Sequence, residues 1–319
     1  MNGGILEMQK LLWYYNTFTN YWCARTSSSN RRFYGRYTAC RILDGRSVAR
    51  VREGALRHHV KGAKPPPSLA VFLVGHNPAS EVFVRKKQMA CARVGILFHL
   101  IRMHDSVKQE DLVHEIHRLN QNPSIHGVIV QLPLPAAMNA NQVCSEVLPL
   151  KDVDCFTPEN VGKLCHGNPL FVPCAPKAVL TLLEEADTAL ESTNTLMIGR
   201  SNLVGQPLSM MLGHRGATVA TAHSLTPPDV LLDLCRWANL VVSAAGVPHL
   251  VRGGMVRPGA VVIDVGINRL PEGGVVGDVH FDEVRQKASV LTPVPGGVGP
   301  LTVVSLLENT FLAYELQNF

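Results

Sequence analysis

Short apolar runs alternate with longer helical stretches along the chain from about residue 41 onward. Two stretches predict helices, one over residues 80–95 and an amphipathic one over residues 301–317. Continuous apolar strands that alternate with helices are typical of a parallel sheet covered on both faces. The predicted strands are SLAVFLVG (68–75), HGVIVQLPLP (126–135), TLMIG (195–199), ATVATAHS (217–224), NLVVSAAG (239–246) and AVVIDVG (260–266).

The predicted strands fall into two groups, which indicates two sheets. The first group ends near residue 175, in the proline-rich stretch NPLFVPCAPK, and the second group extends from about residue 195 to residue 292. We therefore predict an α/β protein with two α/β domains, of which the second is Rossmann-like with a parallel sheet. The predicted domains span residues 40–175 and 176–294, and the final segment, 295–319, packs back as a helix on the first.

The charge of the chain is concentrated near its N-terminus. The 319 residues carry a net charge of +5 at pH 7, and residues 1–40 hold five basic residues against one acid. The remainder is nearly neutral, which gives no support to nucleic-acid binding. The Arg- and Ser-rich, acid-poor leader over residues 1–39 predicts targeting to the mitochondrial matrix. An N-terminal tail without a targeting role, on a cytoplasmic protein, is the alternative.

Composition argues against several other classes of protein. Apolar residues make up 46% and charged residues 17%, as in a globular enzyme. No apolar run reaches the ~20 residues that a membrane-spanning helix needs. The eight cysteines include no CxxC pair and no Cys/His spacing typical of metal ligands. We expect neither a disulfide framework nor a metal site, and reduced thiols fit the cytosol or the matrix.

A strand, a tight turn and a helix follow one another in TLMIGRSNLVGQPLSMML. Gly199 and a second glycine bracket the turn, where backbone N–H groups at a helix start can face a phosphate. The turn lacks the GxGxxG spacing, so a plain packing turn is the alternative. The next strand ends in His223 and Ser224 without a carboxylate, while Arg200 follows Gly199 directly. An arginine beside a hydroxyl suits the 2′-phosphate of NADP, unless Arg200 is merely a surface residue.

The predicted helix over residues 80–95 carries a lysine on an apolar face. Phe83 and Lys87 share that face with positions 90 and 94. A lysine there is costly unless it is paired or used in chemistry. The alternative is a side chain that snorkels to water. Gln131 ends the apolar strand GVIV at the carboxyl edge of the sheet, where its amide can orient Lys87 or a substrate, or can cap a loop.

Two further segments carry groups suited to a flat ligand. Asp152 and Asp154 lie in KDVDCF, and a carboxylate can accept hydrogen bonds from a heterocyclic ring. Two acids in one loop are also common in solvated turns. The segment TPVPGGVGPLT (292–302) holds three glycines between apolar elements, so its backbone can approach a ligand or form a stiff turn.

Ten segments, in order, resemble the methylenetetrahydrofolate dehydrogenase/cyclohydrolase family, and they extend over most of the chain from about residue 41 to residue 315. They are DGRSVA (44–49), VGHNPASEVFVRKKQMACARVGI (74–96), VQLPLP (130–135), KDVDCF (151–156), IGRSNLVGQP (198–207), ATVATAHS (217–224), VVSAAGVP (241–248), VVIDVGIN (261–268), VGDVHFDEV (276–284) and TPVPGGVGPLTV (292–303).

The resemblance implies a folate cleft between two domains, a homodimer and two reactions. The first is hydride transfer from 5,10-methylenetetrahydrofolate to NADP⁺, or to NAD⁺, and the second is hydrolysis of the methenyl product to 10-formyltetrahydrofolate. NAD-using relatives carry an arginine where this chain has Ser224, so the resemblance also favours NADP. The implied catalytic residues are Lys87, Gln131 and Asp154; the substrate-binding residues are Phe83, Val130, Leu132, Pro295, Gly296 and Gly297; and the cofactor-binding residues are Gly199, Arg200, Ser201, Ser224 and Ile267.

Three departures from the family pattern bear on the second reaction. The family has tyrosine at the position of Phe83, so a hydroxyl near the folate ring and Lys87 is missing. Cys155 replaces a glycine, which strains the backbone if a positive φ is needed there, and Ala175 replaces a threonine. A folate- or nucleotide-binding paralogue with little catalysis is therefore one alternative function. The other is an unrelated Rossmann dehydrogenase that acts on hydroxy acids.

Overall fold

Strands and helices alternate over residues 39–318, the part of the chain that the computed structural model describes. The strands are β1 (Arg41–Ile42), β2 (Ser68–Val74), β3 (Leu97–Met103), β4 (Gly127–Val130), β5 (Asn194–Ile198), β6 (Thr218–Ala222), β7 (Leu240–Ser243), β8 (Val261–Asp264), β9 (Asn268–Arg269), β10 (Val275–Val276) and β11 (Val290–Leu291). The helices are α1 (Gly45–Val60), α2 (Pro78–Val94), α3 (Gln109–Asn120), α4 (Ala140–Ser145), α5 (Pro158–Cys165), α6 (Cys174–Glu185), α7 (Gly205–His214), α8 (Pro228–Trp237), α9 (Phe281–Arg285) and α10 (Val298–Asn318). The predicted leader lies, but for Ala39, outside the described residues.

Two parallel sheets organise the fold. The smaller sheet has the strand order β3-β2-β4, and the larger has the order β1-β11-β8-β7-β5-β6. Every strand pair in both sheets is parallel, and β9 and β10 form a separate antiparallel hairpin. In the larger sheet the chain order reverses at β5, which has β6 on one side and β7 on the other, and ligands bind at such switch points. The predicted α/β class, with a Rossmann-like second unit, is confirmed.

The burial of each strand explains whether it could be predicted from the sequence. All seven residues of β2 are buried, as are all four of β4, β7 and β8, so these strands are continuous apolar runs. Strand β3 was not predicted, because it is an edge strand whose residues alternate between exposed and half-buried. Strand β4 ends at Val130, before the predicted end, since Pro133 and Pro135 have no N–H to donate.

The first described strand belongs to the larger sheet. Both residues of β1 pair with β11, although the sequence boundary at residue 40 assigns them to the first predicted domain. Helix α1 follows at once, and its first residue, Gly45, packs so closely on Gly297 that a Cβ atom would overlap the Gly297 backbone. The start of α1 therefore contacts the glycine loop that precedes α10.

Helix α10 is buried on all sides along most of its length. Residues 304–307 and 309–314 are buried without interruption, whereas an amphipathic helix exposes one face at every turn. The prediction of an amphipathic helix was wrong, because α10 packs against α1, α2 and α6 together. Within this packing, Glu308 lies 2.8 Å from Nζ of Lys177 and 2.7 Å from Nε of Arg52. These ion pairs join α10 to α6 and α1.

Among the described residues no helix is long and apolar enough to cross a lipid bilayer. No group of three or more His, Cys, Asp or Glu side chains within residues 39–318 is arranged to hold a metal ion. All seven cysteines of this part of the chain are free thiols, and five of them are buried.

Candidate active site

Helix α2 presents Lys87 to the carboxyl end of β4. Lys87 is half-buried, and its Nζ donates a hydrogen bond of 3.0 Å to Oε1 of Gln131. The Gln131 amide is itself oriented, because its Nε2 donates to the carbonyl oxygen of Leu132 over 2.8 Å. The hydroxyl of Ser80, in the first turn of α2, donates to the same carbonyl oxygen over 3.3 Å. The structure thus brings the predicted lysine and glutamine together, with the amide oxygen turned toward the ammonium.

Asp152, the first aspartate of KDVDCF, has a structural role. It is buried, and burial raises its pKa even though four hydrogen bonds oppose this change. These bonds, of 2.8–2.9 Å, come from the backbone N–H groups of Phe156 and Thr157, the Thr157 hydroxyl and the Asn160 amide. Through these hydrogen bonds Asp152 holds the KDVDCF loop against the start of α5.

Asp154, the second aspartate, is half-buried. Buried Cys174 lies beside it: burial and then the Asp154 carboxylate raise the pKa of this thiol, while Lys87 lowers it. Asp154 and Lys87 are therefore within electrostatic range of the same sulfur atom. Cys155, the next residue, is buried with φ at 60°, so the position requires the left-handed backbone that glycine prefers. A side chain there costs roughly 1–2 kcal/mol.

A cavity of about 920 Å³ lies between α1 and α2 on one side and the loops after β8 and β11 on the other. Lys87, Gln131 and Asp154 do not line this cavity, but Lys87 follows the lining residue Phe83 by one helical turn. The predicted ligand-binding residues that do line it are Phe83, Ile267, Pro295, Gly296 and Gly297.

Val130 and Leu132 occupy a different environment. Val130 is a buried core residue of β4, and Leu132 packs against the same core. Neither side chain lines the cavity. Their assignment as substrate-binding residues stays a prediction.

The turn after β5 leaves no room for side chains. Gly199 has φ at 111°, and a Cβ atom there would overlap the carbonyl of Ala244. A Cβ atom at Gly205 would overlap the backbone of Gly199. The Ser201 hydroxyl accepts hydrogen bonds from the N–H groups of Val204 (3.3 Å) and Gly205 (3.5 Å). The turn therefore directs the N-terminus of α7 toward the switch point, an arrangement that suits a phosphate group.

The register of β5 and β6 brings the two predicted NADP contacts to one edge of the sheet. Ile198 pairs with Ala222, so Arg200 and Ser224, each two residues further on, leave the sheet at the same level. Both are exposed, and no carboxylate of the described residues pairs with the Arg200 guanidinium. A basic group and a hydroxyl at this edge favour a 2′-phosphate.

A buried carboxylate, which the sequence analysis missed, holds the loop after β7. Asp278 is fully buried, and burial raises the pKa of its neighbour Asp264 to about 7, with the Asp278 charge adding to the effect. The Asp278 carboxylate accepts a hydrogen bond from Asn268, the residue that follows Ile267. The only sequence signal was an acid within an otherwise apolar segment. The donors to Asp278, at 2.6–3.2 Å, are the Ser243 hydroxyl, the N–H groups of Ala245, Gly246 and Val247, and the Asn268 amide.

Comparison with known proteins identifies the family. Residues 43–154 match the family model for the catalytic domain of tetrahydrofolate dehydrogenase/cyclohydrolase, and residues 173–318 match the model for its NAD(P)-binding domain. The chain belongs to this tetrahydrofolate dehydrogenase/cyclohydrolase family. The resemblance seen in the sequence is confirmed, and the alternative of an unrelated hydroxy-acid dehydrogenase is wrong.

Individual members of the family resemble this chain over nearly their whole length. The bifunctional protein FolD of Moorella thermoacetica is 46% identical over 272 residues, which cover 84% of this chain and 96% of that protein. The solved structure of bifunctional FolD from Campylobacter jejuni has a TM-score of 0.85 and 41% identity, covering 87% of this chain and 99% of that one. FolD of Trypanosoma brucei, solved with NADP and an inhibitor, has a TM-score of 0.84 and 37% identity, covering 88% and 99%.

Proposed function

We propose that this chain oxidises 5,10-methylenetetrahydrofolate with NADP⁺ and hydrolyses the 5,10-methenyl product to 10-formyltetrahydrofolate. The observation that carries the proposal is the Lys87–Gln131 hydrogen bond of 3.0 Å, one helical turn from a cavity that both units enclose. Family membership supports both reactions, since the FolD relatives are described as bifunctional.

The hydride step depends on holding two flat partners against each other. Phe83 lines the cavity on the side of α2, and Ile267 and Gly296 line it on the side of the second unit. A folate ring can stack on Phe83 in this space. NADP⁺, when bound, would supply the hydride acceptor, and Asp278 holds the loop after β7 through hydrogen bonds from Ala245 and Val247.

The hydrolysis step uses Lys87 as the group that moves protons. The amide oxygen of Gln131 accepts the Lys87 hydrogen bond but does not take up the proton at neutral pH, so Gln131 orients the lysine. A lysine held in this way can assist the addition of water and the opening of the ring. Asp154 accepts hydrogen bonds from the pterin ring in this assignment. Phe83 has no hydroxyl, so no phenol relays the proton.

We assign NADP⁺ and not NAD⁺ on the evidence of the turn after β5. Arg200 and Ser224 lie at one level of the sheet edge, and both are exposed to a ligand. A guanidinium binds phosphate through paired hydrogen bonds. We expect Arg200→Gln to raise the KM for NADP⁺ roughly tenfold and to leave the KM for NAD⁺ within about twofold. Equal effects on both cofactors would contradict the assignment.

A turnover assay on the full chain tests the proposal. It supplies 5,10-methylenetetrahydrofolate with NADP⁺ or NAD⁺ and follows the reduced nicotinamide and the methenyl product separately. We expect faster turnover with NADP⁺ and no accumulation of methenyl product. Accumulation would show that the second step is impaired, as the Phe83 departure allows. Folate binding without turnover would favour the non-catalytic paralogue.

We also propose that the protein is a homodimer in the mitochondrial matrix. The family resemblance supports the dimer, and the composition of residues 1–39 supports the location. Light scattering of the purified protein should give twice the mass of the chain. A fluorescent fusion to the C-terminus should co-localise with mitochondria, and deletion of residues 1–38 should leave it in the cytosol. A monomer, or a matrix location without the leader, would contradict these two points.

A further inference from the structure

A buried amide in the middle of α10 connects that helix to two distant segments of the chain. Asn309 is fully buried and does not line the cavity between the units. Its Nδ2 donates hydrogen bonds to the carbonyl oxygens of Val153, over 2.9 Å, and Val172, over 2.8 Å. Its Oδ1 accepts a hydrogen bond of 3.2 Å from Nζ of Lys177, in α6. These bonds offset the cost of burying the amide, and their partners are 132 to 156 positions away in sequence.

Lys177 determines which way the Asn309 amide faces. An ammonium group donates hydrogen bonds but cannot accept them, so the amide oxygen must face Lys177. Both N–H groups of Nδ2 are then left for the two carbonyl oxygens. Lys177 is itself held 2.8 Å from the carboxylate of Glu308, the residue before Asn309. The position therefore requires a side chain with one acceptor and two donors, and an aspartate carboxylate, which has the same shape, provides no donor.

The carbonyl group of Val153 belongs to the same peptide group as the N–H of Asp154. Because a peptide group is planar, the direction of this carbonyl fixes the plane that contains N and Cα of Asp154. The thiol of Cys174 donates to the same carbonyl oxygen over 3.5 Å. On the other side, Asp152 forms a parallel bridge with Val128 of β4. The backbone that carries the Asp154 side chain is therefore held from α10 as well as from β4.

The backbone that follows Asp154 is strained. Cys155 has φ at 60°, and a side chain in such a conformation persists only where the surrounding structure holds it. If the Val153 carbonyl were released, the segment could relax toward a negative φ, and Asp154, which lies between these two residues, would turn with it. Asn309 opposes this relaxation, because its donors keep the Val153 carbonyl directed toward α10.

We propose that Asn309 is a positioning residue, which holds the peptide group between Val153 and Asp154 so that the Asp154 carboxylate faces the pterin ring of the folate. The inference rests on the proposed function, because it needs Asp154 to bind that ring. Asn309 acts through Asp154 and does not line the cavity itself. Its replacement should therefore weaken the binding of folate and spare the binding of NADP⁺.

Steady-state kinetics on the full chain test the proposal with the variant Asn309→Asp, which turns carboxylate oxygens toward the carbonyl oxygens of Val153 and Val172. We expect the KM for 5,10-methylenetetrahydrofolate to rise at least roughly tenfold, the effect of losing one charge-assisted hydrogen bond. The KM for NADP⁺ should stay within about twofold of the wild-type value and kcat within about threefold, since the lost interaction binds the ground state and the transition state alike.

Thr310→Val is the matched control. Thr310 is the next residue of α10 and is also fully buried, but its hydroxyl donates to the carbonyl oxygen of Leu306 within the helix, over 2.9 Å. The control loses a buried hydrogen bond without releasing Val153, so both KM values should remain those of the wild type. Near-UV circular dichroism checks that each variant is folded. Asn309→Ala, which leaves room for a water molecule, should change the two KM values in the same direction and replaces Asn309→Asp if that variant does not fold.

A double-mutant cycle shows whether Asn309 acts through Asp154. Equilibrium dialysis with tetrahydrofolate gives the dissociation constants of the wild type, Asn309→Asp, Asp154→Asn and the double variant. Each single substitution should raise the dissociation constant at least roughly tenfold. The double variant should stay within about twofold of Asp154→Asn, because a positioning residue has no further effect once the group it positions is lost.

Failure of this inference can be told apart from failure of the proposed function. An unchanged KM for the folate in folded Asn309→Asp overturns the positioning role, and so does an equal rise in the KM for NADP⁺ or in the Thr310→Val control. Additive effects in the double-mutant cycle overturn it as well. A wild-type chain that binds tetrahydrofolate without turnover contradicts only the proposed function, and the dissociation constants then decide the role of Asn309. A wild-type chain that binds no tetrahydrofolate overturns both.

Discussion

Replacement of Glu308 by glutamine removes the negative charge from the buried ion pairs that join α10 to α1 and α6. Burial by itself would raise the pKa of Glu308, but Lys177 and Arg52 outweigh burial and lower the pKa to about 2. Against an ordinary pKa of about 4.3, this difference corresponds to about 3 kcal/mol of folded-state stability. A similar value follows from the loss of one partner of a buried pair, roughly 3–5 kcal/mol. We therefore expect Glu308→Gln to lower the free energy of unfolding at pH 7 by about 3 kcal/mol.

The direction of the pKa shift determines how the stability difference between the wild type and Glu308→Gln changes with pH. The pKa of Glu308 is lower in the folded state, so the stabilisation is fully present above the unfolded pKa and is lost as the pH falls toward about 2. Glutamine does not titrate. The difference between the wild type and Glu308→Gln should therefore shrink steadily between about pH 5 and about pH 2.

Urea unfolding followed by circular dichroism, at pH 7 and at pH 3, measures both effects. Glu159→Gln is the control, because Glu159 forms an exposed ion pair with Lys163 at 2.6 Å. Such a pair contributes at most about 0.5 kcal/mol, so the control should unfold like the wild type at both pH values. A loss in Glu308→Gln that is equally large at pH 7 and pH 3 would refute the electrostatic reasoning and leave packing as the cause.

Five further substitutions, at four positions, test the site. Lys87→Met should abolish hydrolysis of the methenyl substrate without change in the circular dichroism spectrum, and an undiminished rate would exclude Lys87 as the proton carrier. Phe83→Tyr should raise that rate roughly tenfold by adding a proton relay, which stopped-flow absorbance can detect. Asp278→Asn weakens charge-assisted hydrogen bonds and should raise the KM for NADP⁺ at least about fivefold; an unchanged KM counts against its positioning role. Cys155→Gly relieves backbone strain but loses buried surface, so its thermal midpoint should stay near wild type, whereas Cys155→Val should lower it.

Much of this protein could be predicted from local patterns in the sequence. Strands that are buried on both faces, such as β2 and β8, have to be continuous apolar runs, so they are visible without a structure. Lys87 stood out because a lysine on the apolar face of a helix is costly without a partner. The family resemblance could also be seen in the sequence, because its motifs are short contiguous segments.

Tertiary structure alone decided the features that depend on residues distant in sequence. Strand β1 joins the larger sheet through β11, about 250 residues away, and no local signal specifies that partner. Helix α10 is buried on all sides because three helices surround it. Arg46, Arg50 and Arg57 of α1 have helical spacing in the sequence, but only the packing of α1 against the second unit makes them part of the lining of a cavity. Periodicity reports which face of an element avoids water, whereas the groups that meet across a cleft depend on how distant elements pack.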